Sequence, residues 1–188
     1  MELLPGKRAV ARVAGVLSAK YQVHGYWVDL TIRNISGVDP TGRLDFGGGE
    51  YVPAGRMRIA PQPQRSADTY QWWDLPRGCY LIEFNETLNL AENEIALLEP
   101  DPRLLRTGAT HSPIFLRGRV DPIDTLLDVQ AQRLEVKQNA RSSRLRIFQL
   151  GNASEARALL RKAPANRAQV LRKRAGRSAE ASLPKVRR

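Results

Sequence analysis

The chain has little sulfur and little imidazole: one cysteine, Cys79, and two histidines, His24 and His111, in 188 residues. A single thiol forms no intramolecular disulfide, and these three side chains are too few and too scattered for a structural zinc site. Cys79 falls inside a predicted strand, where a buried, inert thiol is expected. No apolar run approaches 18 residues, and Met1-Glu2-Leu3-Leu4-Pro5-Gly6 has neither the basic start nor the apolar core of a signal peptide. The expectation is a soluble, cytoplasmic protein with no membrane partner. Gly47-Gly48-Gly49 lacks a following Lys-Ser/Thr, which excludes a Walker loop and leaves a flexible hairpin.

Charge is present but unevenly placed. Residues 151–188 hold 11 Lys+Arg against 2 Asp+Glu, which supplies +9 of the formal +11; residues 1–150 hold 19 against 17. This divides the chain into a near-neutral globular domain, 1–150, and a basic extension, 151–188, helical or partly disordered. Ser154 can cap a helix over 155–162 that Pro164 ends, and a second helical piece covers 166–175. Arg161, Lys162, Arg167, Arg172, Lys173, Arg174 and Arg177 suit contact with the phosphates of a nucleic acid or ribonucleoprotein. The alternative is a solvated terminus. No aromatic residue lies beyond Phe148, so base stacking by the extension is excluded.

The first 150 residues read as β structure. Residues 28–35 alternate, with Val28, Leu30, Ile32 and Asn34 on one face of a half-buried strand. Residues 9–17 fit either a strand or a short helix. Turn signals from 37 to 49, including Asp39-Pro40-Thr41-Gly42, bracket a short strand at 44–46, and 61–71 form a polar loop. Further strands are predicted at 79–85, 95–99, 114–120, 125–131, 133–137 and 145–150, with one helical turn at 103–106. Many short strands between turns argue for a β-sandwich or barrel. Tyr70, Trp72 and Trp73 point to core packing or a contact between copies, with a base-stacking platform as the alternative. Asp121, Asp124 and Asp128 could suggest a metal cluster, but their spread over two strands reads better as exposed charge; no protein metal site is expected.

Three segments stand in a telling order: Gly25-Tyr26-Trp27-Val28-Asp29-Leu30-Thr31-Ile32, then Leu75-Pro76-Arg77-Gly78-Cys79-Tyr80-Leu81 leading through Glu86-Thr87, then Arg146-Ile147-Phe148-Gln149-Leu150. Over residues 22–150 the chain resembles the deoxyuridine triphosphatase (dUTPase)/dCTP deaminase family, archaeal dUTPase-like in type. The first segment departs by two extra residues after Gly25. The resemblance implies a mainly β, distorted β-barrel or jelly-roll-like fold, usually a homotrimer, with substrate pockets between subunits and magnesium bridging the triphosphate. Asp29, Arg103, Arg106, Gly118 and Gln149 are the residues it places around a nucleotide.

The motifs that carry the family's chemistry are altered. Where Arg-Ser-Ser-Leu-x-Arg-x-Gly should grip phosphate, this chain has Asp101-Pro102-Arg103-Leu104-Leu105-Arg106-Thr107-Gly108. A carboxylate replaces a cation, the hydroxyls are gone, and Pro102 offers no N–H. The next motif, which holds the water-orienting aspartate, fits in two registers. One anchors on Gly118 and on Leu126-Leu127-Asp128-Val129, putting Leu116 at the aspartate and Arg119 at the sugar-packing tyrosine; it needs no gap and is preferred. The other keeps the acid as Asp121 but puts Asp124 in place of the tyrosine. For deamination, Asp128 is the nearest acid and one methylene short, while Glu135 falls on the next predicted strand, so that activity ranks below pyrophosphate release. Arg141-Ser142-Ser143 spells part of the phosphate motif but comes too late in the order and is expected to be a solvated turn.

The resemblance therefore implies a dUTPase-like nucleotide-binding or regulatory protein, weak or inactive as a catalyst, with a tail on nucleic acid. The competing expectation is an active dUTP pyrophosphatase using Asp121 as base and Mg2+ on the triphosphate.

Overall fold

The computed structural model describes residues 1–39 and 41–151; the expectations for Pro40 in its turn and for the helices of 152–188 lie outside them. Residues 1–150 form one compact unit. In chain order its elements are β1 (Glu2–Leu3), α1 (Gly6–Ala9), β2 (Val13–Ala14), α2 (Ala19–Gln22), β3 (Val28–Val38), β4 (Arg56–Ile59) and β5 (Trp72–Phe84). There follow β6 (Thr87–Asn89), β7 (Glu94–Pro100), α3 (Pro102–Arg106), β8 (Ala109–Thr110), β9 (Ile114–Leu116), β10 (Arg119–Val120), β11 (Asp124–Lys137) and β12 (Arg141–Gln149).

One curled sheet runs β8-β11-β5-β3-β12-β7-β9, with β1 added to β12 and β4 to β3; a small sheet runs β10-β6-β2. Every strand pairing among the described residues is antiparallel. The mainly β expectation holds.

Alternation builds the core, and irregularities steer it. Val28, Leu30 and Ile32 of β3 are buried, as are Leu145 and Ile147 of β12 and Leu127 and Val129 of β11. Each such side chain contributes about 1.5–3 kcal/mol by leaving water. A register shift between Ile32 and Asn34 returns Ile35 to the interior. A second shift, between Val129 and Arg133, lets β11 continue as one strand where two were expected. Opposite it, the buried positions of β5 change from Trp73 and Leu75 to Ile82 and Phe84. That change of face leaves Cys79 exposed, which corrects the expectation of a buried thiol. Partial desolvation of the sulfur still holds its pKa above the usual thiol value, with the nearby Asp128 charge adding to it.

Other expectations divide. Residues 9–17 hold both a 3-10 turn at Val10–Arg12 and the short strand β2. The expected strand at 114–120 is cut into β9 and β10 at Gly118, whose φ of 65° favours glycine. The expected strand at 44–46 is absent: only Arg43 bridges to Val52, and Leu44 and Phe46 are exposed. Trp73 is core, and its Nε1 donates to the Ile59 carbonyl at 2.8 Å.

Both faces of β3 are enclosed. Asp29 and Thr31 are buried between the apolar positions, although simple alternation makes theirs the solvent face. They are buried because each has hydrogen-bonding partners waiting.

Candidate functional site

The Asp29 side chain has three partners, two from the stretch between α2 and β3 and one from the start of β12. Trp27 Nε1 lies 3.0 Å from Oδ1, while His24 Nε2 (3.0 Å) and Arg141 Nη1 (3.1 Å) reach Oδ2. Arg141 also donates to the Tyr21 carbonyl. Its neighbours Ser142 and Ser143 are buried at the start of β12, and Ser143 Oγ meets His111 Nε2 at 2.9 Å. The solvated turn expected at Arg141-Ser142-Ser143 is therefore overturned. Cross-strand pairing of Arg141 with Thr31 and of Ser143 with Leu30 draws these polar groups inside. Burial lowers the pKa of His111, so the ring sits neutral; Nδ1–H faces the Ser112 carbonyl, and Nε2 is left to accept from Ser143.

Directly beside this cluster, α3 begins. Asp101 is its N-cap, 2% exposed, and its Oδ1 accepts from the Arg103 backbone N–H (2.8 Å) and from Arg103 Nε (2.9 Å). Oδ2 accepts from Arg144 Nε at 3.1 Å. Burial alone would raise the pKa of this carboxyl, but the Arg103 hydrogen bonds and charge, with Arg144, outweigh it and hold the group below its usual value. Pro102 occupies the first helical position, where a missing N–H costs nothing. The Asp-Pro pair that reads as damage to a phosphate motif is thus a sound helix start.

Arg103 Nη2 reaches the Arg141 carbonyl at 3.4 Å, which ties the two clusters together. A cavity of about 310 Å³ opens there, with Arg103, Arg141, Lys137, Ser142 and the Glu135 carboxylate among its polar lining and Leu104, Leu127 and Leu134 among its apolar walls. It could take a small body with one anionic group.

Of the five nucleotide-site residues named from sequence, the fold joins only Asp29 and Arg103. Arg106 is exposed at the end of α3, outside the cavity lining. Gly118 lies between β9 and β10, where its carbonyl accepts from Leu90 N. Gln149 ends β12 opposite Glu94. Asp29 pairs with Arg144 of β12, and five steps of about 3.4 Å along that strand put it roughly 17 Å from Gln149 within one chain.

Asp121 is exposed in the turn between β10 and β11, 3.9 Å from Arg119. Leu116 packs against the core, where it presents nothing to a ligand. Asp128 hydrogen-bonds with Gln130 and Asp124 pairs with Arg56. Glu135 shares β11 with Asp128, where two strands were expected, and pairs with Arg133.

Trp27, Arg141 and Arg144 were missed as site residues; Trp27 and Arg144 are signalled only by proximity to Asp29 and to the Arg-Ile-x-Gln-Leu segment, whereas Arg141 opens the Arg-Ser-Ser run that was set aside as a turn. A magnesium ion bridging the triphosphate, which the resemblance implies, finds no ready donors in this corner. Asp29 already has its oxygens on Trp27, His24 and Arg141, Asp101 has its oxygens on Arg103 and Arg144, and no group of three acidic, His or Cys side chains among the described residues could hold a metal ion.

No family model matches the sequence. A protein of Methanosarcina acetivorans named "Probable deoxyuridine 5'-triphosphate nucleotidohydrolase" is 27% identical over 138 residues, 71% of this chain and 76% of the relative. A protein of the same name from Methanosarcina barkeri is 27% identical over 135 residues, covering 69% and 74%. Among solved structures, 2'-deoxycytidine 5'-triphosphate deaminase from Agrobacterium tumefaciens superposes with a TM-score of 0.54 at 17% identity. That match covers 78% of this chain and 48% of the deaminase, and it concerns the fold. The sequence relatives and the fold both support a likeness to the dUTPase/dCTP deaminase family. Within that family the Asp101–Arg103–Arg144 arrangement stands where the phosphate-binding run is expected. No helix among the described residues is long and apolar enough to cross a membrane.

Proposed function

We propose that this chain is a dUTPase-like nucleotide-binding or regulatory protein with little or no hydrolytic activity. One observation carries the reading: the buried Asp101 carboxylate takes hydrogen bonds from Arg103 and Arg144, the cations best placed to meet phosphate at this corner. A triphosphate arriving here meets arginines already answered by a protein carboxylate, and it must compete with an anion that pays no association entropy. Asp29 pairs with Arg144, five steps of about 3.4 Å from Gln149, so the two stand roughly 17 Å apart along one chain and belong to one pocket only if copies assemble; a homotrimer with pockets between subunits is therefore part of the proposal. Magnesium would enter with the triphosphate and not from a protein cage.

The basic extension completes the reading. Arg161, Lys162, Arg167, Arg172, Lys173, Arg174 and Arg177 would hold nucleic acid or ribonucleoprotein in the cytoplasm through phosphate contacts that weaken with salt.

A second reading has its own support. Asp121 is solvent-accessible and lies at a turn, so it remains free to align water in an active dUTP pyrophosphatase. Pyrophosphate release from dUTP with magnesium separates the two. Turnover below one event per hour beside retained dUTP binding supports the first; brisk turnover that Asp121→Asn abolishes supports the second. Loss of neither binding nor turnover on Asp101 or Asp121 substitution would remove both from the site.

A further inference from the structure

Residues 1–27 carry one carboxylate, Glu2, against Lys7, Arg8, Arg12 and Lys20. Arg8 pairs with Glu2 and Arg12 with Glu94, while no ion pair among the described residues engages Lys7 or Lys20. Both lysines line a groove of about 590 Å³ between α1 and α2, floored by Val10, Ala19 and Val23, with no acidic side chain in its walls. A groove with that lining favours an anion beside an apolar surface.

Aromatic side chains stand along the same segment. Tyr21 is 60% exposed and Tyr26 54% exposed, large areas for rings in an ordered domain. Lys20 Nζ lies 5.4 Å from the Tyr21 ring centroid. Trp27, half-buried, stacks with His24 at 5.0 Å, and the Arg144 and Arg146 guanidiniums lie 4.7 and 5.4 Å from its centroid. The backbone beneath is held: His24 N donates to the Trp27 carbonyl, Val23 bridges to Val28, and Arg141 grips the Tyr21 carbonyl. Arg144 and Arg146 are answered by Asp101 and Glu99, so the charge without an ion-pair partner on this face is, among the described residues, that of Lys7 and Lys20.

We propose that this face of the ordered domain binds single-stranded nucleic acid, with bases stacked on Tyr21 and Tyr26 and the phosphate backbone tracked by Lys7 and Lys20. Exposed rings interleaved with unpaired cations on a fixed backbone are what unpaired bases need, since every base offers a face to stack while phosphates supply the charge. The basic extension has no aromatic residue, so this site differs from the proposed tail contact in chemistry as well as position. It is also independent of whether the nucleotide site is active.

Fluorescence anisotropy of labelled 20-mers of dT and rU, titrated with the full chain, tests the idea. Tyr21→Ala/Tyr26→Ala should weaken binding at least tenfold; these exposed side chains leave the fold intact, which thermal melting verifies. Lys7→Ala/Lys20→Ala should lower the slope of log K against log salt by about 1.4, two phosphate contacts at about 0.7 each. Both effects should persist when Arg172, Lys173 and Arg174 are all alanine. Oligonucleotides carrying 5-iodouracil should photo-crosslink to Tyr21 or Tyr26, and dUTP binding should be unchanged in the tyrosine variant. Wild-type binding by that variant, or crosslinks confined to residues 152–188, would overturn the proposal. So would tighter binding to phosphatidylserine vesicles than to either oligonucleotide, or a change in oligomer mass on tyrosine substitution, which would make the face a protein contact.

Discussion

Asp101 and Glu86 are both buried carboxylates, yet they are answered by opposite kinds of partner. Asp101 has two guanidiniums and a helix N–H. Glu86, fully buried, has only neutral donors: Thr31 N at 2.8 Å, Thr31 Oγ1 at 2.7 Å and Gln22 Nε2 at 2.7 Å. Burial pushes the Glu86 pKa up more than those hydrogen bonds pull it down, whereas the arginines carry Asp101 below its usual value. At Asp101 the opposite charges outweigh burial, while at Glu86 the neutral donors do not. The first arrangement occupies cations at a would-be anion site, and the second locks α2 and β3 to the end of β5.

The largest test of this contrast is Asp101→Ala. It strands Arg103 and Arg144 and removes a helix cap; a loss of about 3 kcal/mol in urea unfolding is expected, the low end for a broken buried pair because both arginines reach solvent. An unchanged midpoint would mean that the pair contributes nothing. Glu86→Ala should cost about 2 kcal/mol by orphaning buried donors. Glu86→Gln should cost about 1 kcal/mol, since its amide nitrogen must face a donor.

The pH response should separate the two acids. Asp101, with a lowered folded pKa, adds stability that is present above the ordinary carboxylate value and is lost as pH falls through the folded one. Glu86, with a raised folded pKa, adds stability that is full below the ordinary value and is lost as pH rises through its folded one. Unfolding measured from pH 3 to 8 should therefore lose its acid-side slope in Asp101→Asn and flatten on the neutral side in Glu86→Gln. The reverse assignment would contradict both directions. The smallest expected effect is Asp121→Asn, an exposed change that should alter stability by no more than about 0.5 kcal/mol; a larger loss would give Asp121 a structural role.

Much of the scaffold was legible in the sequence. The alternation from Val28 and the turns after it mark β strands, and the three ordered segments point to the family. The errors share a cause. Cys79 was expected inside because a period of two was carried unbroken through β5, but the inward face switches along that strand. Arg141-Ser142-Ser143 looked like solvent-facing polarity until strand pairing brought Asp29 and His111 to it. Arg106, Gly118 and Gln149 are a separate case: they stand apart from Asp29 within one chain, and a pocket between copies is what would gather them.

The linear chain by itself determined the β class, the resemblance to the dUTPase/dCTP deaminase family, the altered phosphate run and the concentration of charge in residues 151–188, all carried by local pattern and composition. Only the tertiary structure decided which charges are answered: Arg141 meets Asp29 across 112 positions, Arg144 meets Asp101 across 43, and Thr31 meets Glu86 across 55. Such pairs depend on cross-strand register, and a shift of one residue would turn each of these side chains to the other face of the sheet.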